Sequence, residues 1–507
     1  MLISDTDSPQ VKVAKGAAII LAGLAFSRIV NYAYQIVLAR AGGTEEFGLF
    51  FLGVTTIAAA GGLAALGLDL GVARFAPLYL GSREIPRLRS LLRYSLGLSL
   101  LTGTAGAIFL QLAGRWIALS IFNSEPLIGI LHICALCLPF TVCNRVLIKA
   151  IIAFQKIGYR VAVNQVVTPL VRLIFTVLLV LAGMRAEGAM WAYLASEAAS
   201  WCILIWLLNN RVFPLFGKGG ERGAFEFRQF FAYCLPLLLA GTIDLVLNNI
   251  DAVMTGYFLD KSQVGIYGTA VRLASMVALG VELLNPLFLS IITQAWASNN
   301  ESIISSTFSN NNRWYHYITL PATVLLVLLS SEIMVLFWGE SFAPGAPSLA
   351  LLTLGRAFYY LTSTSIFLLS MHGATRLILG INLTSAVLNI ILNYYLIQWL
   401  GITGAALATA ISMTVSGGLA IIAGKRRHKG AGLQVFFPRI IAAAILPAPV
   451  VLLLKYPLLS GWPGLVSIPA AYLLLYLLLL KLFRVFTADD RYIWRQIMAR
   501  LKWSNSD

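Results

Sequence analysis

Apolar runs of about twenty residues recur along the whole chain, each closed by charged residues or by clusters of Pro, Gly and Asn. A run of that length, coiled as a helix rising about 1.5 Å per residue, crosses about 30 Å of hydrocarbon. The pattern predicts fourteen spans, near 17–39, 47–69, 91–112, 127–148, 163–182, 188–208, 230–256, 267–292, 315–337, 347–370, 377–398, 402–424, 437–455 and 462–483. Membrane strands would instead alternate in short segments, and these runs, rich in Leu, Ala, Ile and Gly, do not. Residues 1–16 have neither the basic start nor the small-residue cleavage site of a signal peptide, so the first run is expected to persist as a helix.

The pattern repeats. At a shift of 217 residues, Asn31 meets Asn248 and Gly48 meets Gly265. Phe47-Gly48-Leu49-Phe50 then meets Val264-Gly265-Ile266-Tyr267. At 218, Asn164 meets Asn382 and Gly183 meets Gly401; at 216, Gly188, Ala192 and Ser196 meet Gly404, Ala408 and Ser412. A unit of six spans is even in number, so both copies enter from the same side and the repeat is parallel. The expected fold is an all-α polytopic membrane protein of two six-helix lobes plus two C-terminal helices. Its segments are a cytoplasmic N-terminus 1–16, a first lobe 17–210, a linker 211–229, a second lobe 230–424, two further helices within 425–484 and a tail 485–507.

Composition agrees: hydrophobic residues make up 59% and charged residues 11% of the chain, with a mean hydropathy of +0.83. The net charge of +16 does not mark a nucleic-acid surface, because the basic residues track topology. With the N-terminus inside, 28 of the 37 Lys and Arg fall on cytoplasmic ends and loops, against five on the outer face (Arg40, Arg115, Arg185, Lys261, Lys455). That bias orients the chain with both termini in the cytoplasm. The five cysteines all lie in or beside apolar segments and imply no disulfide framework. Cys134-x-x-Cys137 has metal-ligand spacing but no second pair, and reads as packing.

Ionisable groups at span depth cost about 2.5–3.5 kcal/mol on insertion scales, which makes those retained there candidates for function. Four arginines qualify: Arg28, Arg172, Arg272 and Arg356. Arg28, Asn31, Tyr32 and Gln35 form one helical stripe, as do Gln165, Thr168 and Arg172, and as do Arg356, Tyr359, Tyr360, Ser363 and Thr364. Arginine stays charged when buried and presents a planar fork of donors suited to phosphate oxygens, so a cavity lined by these residues would suit an anion. Asn31, Gln35 and Tyr359 would support it. Glu197 and Glu282 could neutralise an arginine; with Asp244 and Asp251 they are also candidates for coupling to Na⁺ or H⁺. Asn382, Ser385, Asn389 and Asn393 line one face of another helix, where interhelical hydrogen bonding is the simpler role. No catalytic or metal-binding set emerges.

Two stretches carry a resemblance: Leu38-Ala39-Arg40-Ala41-Gly42-Gly43-Thr44-Glu45-Glu46-Phe47-Gly48-Leu49-Phe50, and Gly67-Leu68-Asp69-Leu70-Gly71-Val72-Ala73-Arg74-Phe75. They are similar to the turn between helices 1 and 2 and to the end of helix 2 in the polysaccharide transporter family. These are the O-antigen and lipid-linked oligosaccharide flippases of the multidrug/oligosaccharidyl-lipid/polysaccharide exporter superfamily. The resemblance implies two six-helix bundles around a V-shaped cavity, with two extra C-terminal helices. It also implies a monomer in a bacterial inner membrane that is a transporter, not an enzyme. Such a protein carries a polyprenyl-pyrophosphate oligosaccharide outward by alternating access, for lipopolysaccharide O-antigen or exopolysaccharide. No cofactor is implied beyond an ion gradient, Na⁺ or H⁺. Its partners would be the lipid-linked substrate, membrane lipids, a polysaccharide polymerase and a chain-length regulator, and no nucleic acid. Arg28 and Arg272 match cationic cavity positions, whereas helix 2 has no Arg or Lys in its body, which disfavours lipid II as cargo.

Competing readings meet the same residues. A multidrug cation antiporter needs acidic and aromatic cavity groups, and four buried arginines oppose it. A membrane glycosyltransferase or polymerase needs a large outer loop with catalytic groups, and the most acidic outer connection offers only Glu45 and Glu46.

Overall fold

The structure is a computed structural model that describes residues 9–216, 226–282, 284, 288, 301–427, 435–458 and 462–487. Its described elements are all helical. They are α1 (Pro9–Ala64), α2 (Leu68–Gly81), α3 (Ile85–Trp116), α4 (Leu127–Ala153), α5 (Ile157–Val161), α6 (Thr168–Leu181), α7 (Arg185–Leu207) and α8 (Phe227–Phe258). There follow α9 (Lys261–Ala274), α10 (Glu301–Leu328), α11 (Ser330–Trp338), α12 (Ala346–Met371), α13 (Thr375–Arg427), α14 (Pro438–Ile445), α15 (Ala448–Leu458) and α16 (Trp462–Leu482). Among the described residues, seven helices are long and apolar enough to cross a membrane, or eight if the bent pair Ser306–Leu328 and Ser330–Trp338 is one span. The chain is a multi-pass membrane protein.

Two of those helices are double. The apolar part of α1, Ala22–Ala64, has 43 residues, and α13 has 53, each far more than the roughly twenty that cross a bilayer. Each is interrupted by one non-helical glycine, Gly43 at φ 79°, ψ −170° and Gly401 at φ 59°, ψ −135°. Side-chain-bearing residues avoid such dihedrals, so glycine there lets one span pass into the next with no loop. The expected spans 17–39 and 47–69 thus share α1, and 377–398 and 402–424 share α13.

One expected span needs correction. The apolar run 315–337 reads as continuous, yet α10 starts well before it and the chain bends by 76° between Leu328 and Ser330. Pro321 lies inside α10, away from the bend, so proline is not the cause. The backbone stays bonded across the bend, from Leu329 N–H to Leu325 O and from Ile333 N–H to Leu329 O, both 2.9 Å. Leu329 itself belongs to the buried cluster formed with α14 to α16. Hydropathy records only that the run is apolar, and packing decides where it turns.

The chain divides into two compact units. The first comprises 1–269, 337–345 and 382–412; the second comprises 270–336, 346–381 and 413–507. In the first, Leu68, Val72, Leu91, Leu92, Val146, Leu147, Leu204, Leu208 and Phe230 build an apolar core from α2, α3, α4, α7 and α8. In the second, Ile440, Ala443, Ala444, Val451, Ile468, Tyr472 and Tyr476 join the C-terminal helices to α10 around Leu329. Tyr472 is fully buried there and its hydroxyl donates to Ala444 O at 2.9 Å, as a buried phenol requires in an apolar setting.

The duplication is visible in the packing of the first unit. A Cβ on Gly48 would overlap the Lys261 carbonyl oxygen, and one on Gly265 would overlap the Thr44 carbonyl oxygen. The contact is reciprocal: each glycine meets the carbonyl four residues before its own counterpart. Beside it, the hydroxyls of Thr44 and Ser262 lie 2.7 Å apart. Gly183, at φ 88°, ends the helix before α7 as Gly401 ends the helix before the second part of α13. Gly188 and Gly404, the pair that follows, both press against the helix just left behind.

Candidate functional site

Two of the four arginines lie in the first unit. Arg28 is half-buried on α1. On the same face, Asn31 Nδ2 donates to Ser27 O at 2.7 Å and to Ser27 Oγ at 3.1 Å. Gln35, 4% exposed, donates to Asn31 O at 2.9 Å, while its Oε1 finds no protein partner. Asn31 and Gln35 of the stripe read from the sequence thus form one ladder with Ser27 along α1.

Arg172 sits differently. Its Nη2 donates to Glu197 Oε1 at 3.1 Å and its Nε to Ser196 Oγ at 3.1 Å; its guanidinium carbon lies 4.0 Å from the Tyr193 ring centroid and 5.8 Å from that of Tyr34. Both ionic side chains are largely buried, at 12% and 14% exposed. Asn144 Nδ2 reaches Glu197 Oε2 at 3.0 Å, so both carboxylate oxygens are occupied. Burial strips water from both charges, and only this full set of partners makes the arrangement tolerable. The group ties α6 to α7 and α4. Sequence reading placed Arg172 and Glu197 and missed Asn144, Ser196 and Tyr193; Asn144, a lone amide inside an apolar run, was the available signal.

Asp251 on α8, 5% exposed, accepts from the Tyr267 hydroxyl at 2.6 Å and from Ala252 N–H at 2.9 Å. It therefore links α8 to α9. Tyr267 went unnoticed as a partner, although it closes the repeated Val264-Gly265-Ile266-Tyr267 stretch. The side chain of Asp244 lies outside the described residues.

The other two arginines lie in the second unit. Arg272 ends α9, where the chain passes into a 3₁₀ turn, Ser275–Ala278. A tightened turn releases α-type carbonyls from their usual donors. Arg356 Nη1 on α12 donates to one of them, Val271 O, at 3.0 Å, one residue before Arg272. Its Nε is buried without a protein partner. Tyr359 and Tyr360 continue the same face of α12 with ring centroids 5.6 Å apart. Glu282 is exposed, just beyond the 3₁₀ turn. Arg356 thus meets the backbone one residue before Arg272, at a helix irregularity.

The two signature stretches have structural duties. Glu46 Oε2 accepts from Ala186 N–H at 2.9 Å, which caps the first turn of α7 with a negative charge. Asp69, 6% exposed, pairs with Arg145 of α4 at 3.3 Å. Gly67, at φ 70°, and Gly71 bring α2 so close to α8 that a Cβ would press on Cys234 and Phe230. The cysteines are all free; Cys134, Cys137, Cys143 and Cys234 are buried, and the Cys134 thiol donates to Gly53 O at 3.4 Å.

Residues 37–347, which include both signature stretches, match the family model described as polysaccharide biosynthesis protein. The chain belongs to the polysaccharide biosynthesis protein family. Within reach of it, a Haloferax volcanii protein named Probable low-salt glycan biosynthesis flippase Agl15 is 29% identical over 243 residues, 47% of this chain. The chain spans about half the length (49%) of that relative. The lipid II flippase MurJ of Bacillus subtilis is 23% identical over 486 residues, covering 86% of this chain and 87% of that protein. Among solved structures, the inward-facing conformation of a multidrug resistance MATE family transporter of the MOP superfamily aligns with a TM-score of 0.67 at 15% identity. It covers 81% of this chain and 98% of that one. At such identity the likeness speaks for the fold alone, which this chain shares with that transporter.

Proposed function

We propose that this protein is a flippase that moves a polyprenyl-pyrophosphate-linked oligosaccharide from the inner to the outer leaflet of a cytoplasmic membrane. Family membership, and relatives named as glycan and lipid II flippases, support a lipid-linked glycan as cargo. The observation that carries the anionic head group is the meeting of Arg356 with the carbonyl beside Arg272 in the second unit. An arginine held through Nη1 by a backbone carbonyl keeps its Nη2 donors to offer a phosphate oxygen. Arg28, in the first unit, is a separate candidate for contact with the head group. Arg172 is a structural clamp in this reading, because Glu197, Ser196 and Asn144 complete its environment.

The working cycle is alternating access between a first lobe 17–210 and a second lobe 230–424, both termini in the cytoplasm of a bacterial inner membrane. Outward transfer of a negative head group down an inside-negative potential gains about 2.3 kcal/mol per charge per 100 mV, so the potential can contribute directly. A Na⁺ or H⁺ gradient acting through Asp244, Asp251, Glu197 or Glu282 is the alternative source. Supply and use of the cargo place a polysaccharide polymerase and a chain-length regulator nearby.

The test replaces Arg272 and Arg356 by Ala, together and singly, in a strain whose surface polysaccharide can be scored. Each charge-assisted hydrogen bond to a phosphate contributes about 1.5–3 kcal/mol, so each single variant is expected to cut flux about tenfold or more. Full surface polysaccharide at normal protein levels would sink the cationic site. Lipid II is the second reading, favoured by the extent of the match to the Bacillus protein; rescue of a strain lacking its lipid II flippase would select it.

A further inference from the structure

A stripe of polar residues runs along α10 beside the apolar residues that pack on α12, with the His316 ring edge-on to Phe436 and Phe437. Asn312, His316, Thr319 and Thr323 recur at helical spacing and are all at least nine-tenths buried. On α12, Ser348, Thr353 and Thr364 are buried as well. The register is fixed by contacts: Phe308 packs with Leu368, Thr364 Oγ1 donates to Asn312 Oδ1, and Tyr315 packs with Leu361. Farther along, Leu326 packs with Ala357. The helices are therefore antiparallel, and Thr319 and Thr323 lie level with the stretch of α12 between Ala357 and Leu361, which Arg356 adjoins.

Several polar atoms of this seam are buried with no protein partner: His316 Nε2, Thr319 Oγ1, Thr353 Oγ1, Ser348 Oγ and Arg356 Nε. Their residues, Arg356 apart, are fully buried. The imidazole is oriented by its other nitrogen, since Nδ1 lies 2.7 Å from Asn312 O and a carbonyl can only accept. Nδ1 thus carries the proton and Nε2 is a bare acceptor. In a hydrocarbon setting each unsatisfied polar atom costs several kcal/mol, so an aligned series of them on two facing helices calls for a shared ligand that donates and accepts. Water has that chemistry, because it can serve hydroxyl, imidazole and guanidinium in turn. At the other end of the seam, Asn312, Thr364 and Ser365 line a small pocket with Lys425 and Gly424, at the end of α13 where the basic run begins.

We propose that the α10–α12 seam holds an internal chain of water running from the pocket beside Lys425, past His316 and Thr319, to Arg356. The chain keeps the guanidinium of Arg356 hydrated at membrane depth, and His316 Nε2 accepts a hydrogen bond within it. This assignment does not depend on the cargo. It concerns only the second unit.

Bound water converts X-ray photons into hydroxyl radicals in place, so radiolytic footprinting of the full chain in lipid nanodiscs, read by mass spectrometry, detects it beside buried side chains. His316 is expected to oxidise several-fold faster than Tyr472, an equally buried ring whose hydroxyl is satisfied by Ala444 O. Thr319→Val, which keeps shape and removes the hydroxyl, should bring His316 labelling toward the Tyr472 level; Thr353→Val serves if the first variant does not fold. Labelling of His316 no greater than that of Tyr472 overturns the water chain. So does His316 labelling that both valine variants leave unchanged.

Discussion

The two copies of the repeat solve one problem with different chemistry. In the first copy, the hairpin of α6 and α7 is joined by a buried ion pair, Arg172 to Glu197, completed by Ser196 and Asn144. In the second, the corresponding hairpin within α13 is joined by neutral groups: Asn389 donates to Thr409 at 3.3 Å and Ser385 to Ser412 O at 3.0 Å, with Asn393 bonded to Asn389 along its own arm at 2.9 Å. The start of the repeat diverges the other way. Tyr34 and Phe50 form an aromatic edge contact at 6.1 Å, whereas Asp251 and Tyr267, at the same repeat positions, form a hydrogen bond to a carboxylate. The duplicated backbone thus holds its course while the polar load moves between copies. What stays common is the glycine geometry, because no side chain could replace it.

That contrast can be broken most forcefully at the ion pair. Glu197→Ala leaves Arg172 buried and uncompensated, which should cost about 3–5 kcal/mol and lower the melting temperature sharply in detergent, while Arg172→Met with Glu197→Leu recovers most of it. A single variant as stable as the parent would show that the pair is solvated and that the copies do not differ as described.

Next comes the shared geometry. Gly265→Ala places a methyl on the Thr44 carbonyl, and overpacking of this kind costs about 1–3 kcal/mol. Gly97→Ala on α3, where a Cβ meets nothing within 4 Å, should gain up to about 1 kcal/mol from helix propensity. Thermal unfolding of both variants checks the pair, and a neutral Gly265→Ala would undo the reciprocal crossing.

Tyr267→Phe removes a donor to a buried carboxylate, with an expected loss of about 1.5–3 kcal/mol; Phe50→Leu, in the first copy, should be milder because no hydrogen bond is lost. Equal losses would mean that the two positions have not diverged in chemistry. The smallest effect belongs to the neutral hairpin. A double-mutant cycle over Asn389 and Thr409 should give a coupling near 0.6 kcal/mol, clearly below that measured over Arg172 and Glu197.

Much of this was legible from one chain because membrane helices obey strong one-dimensional rules. Apolar length sets spans, and the constant shift that aligns Gly48 with Gly265 and Gly183 with Gly401 announces the duplication. The stripes of Arg28, Asn31 and Gln35 and of Arg356 and Tyr359 also follow from helical period alone. The partners of these residues were not legible. Glu197 could be named as a counter-ion only in general terms, since choosing Arg172 among four arginines requires knowing which helices touch. Tyr267 and His316 went unread for the same cause.

By itself, then, the sequence determined that this is a multi-pass helical membrane protein of repeated design and which side chains must avoid lipid. Only the tertiary structure decided that Arg172 is spent on an ion pair while Arg356 meets the backbone beside Arg272. It also decided that an apolar run bends at Leu329. The reason is physical: solvent and helical period act on each residue through its own neighbours in the chain. Satisfying a buried charge or filling a crossing depends on residues brought near from far along it.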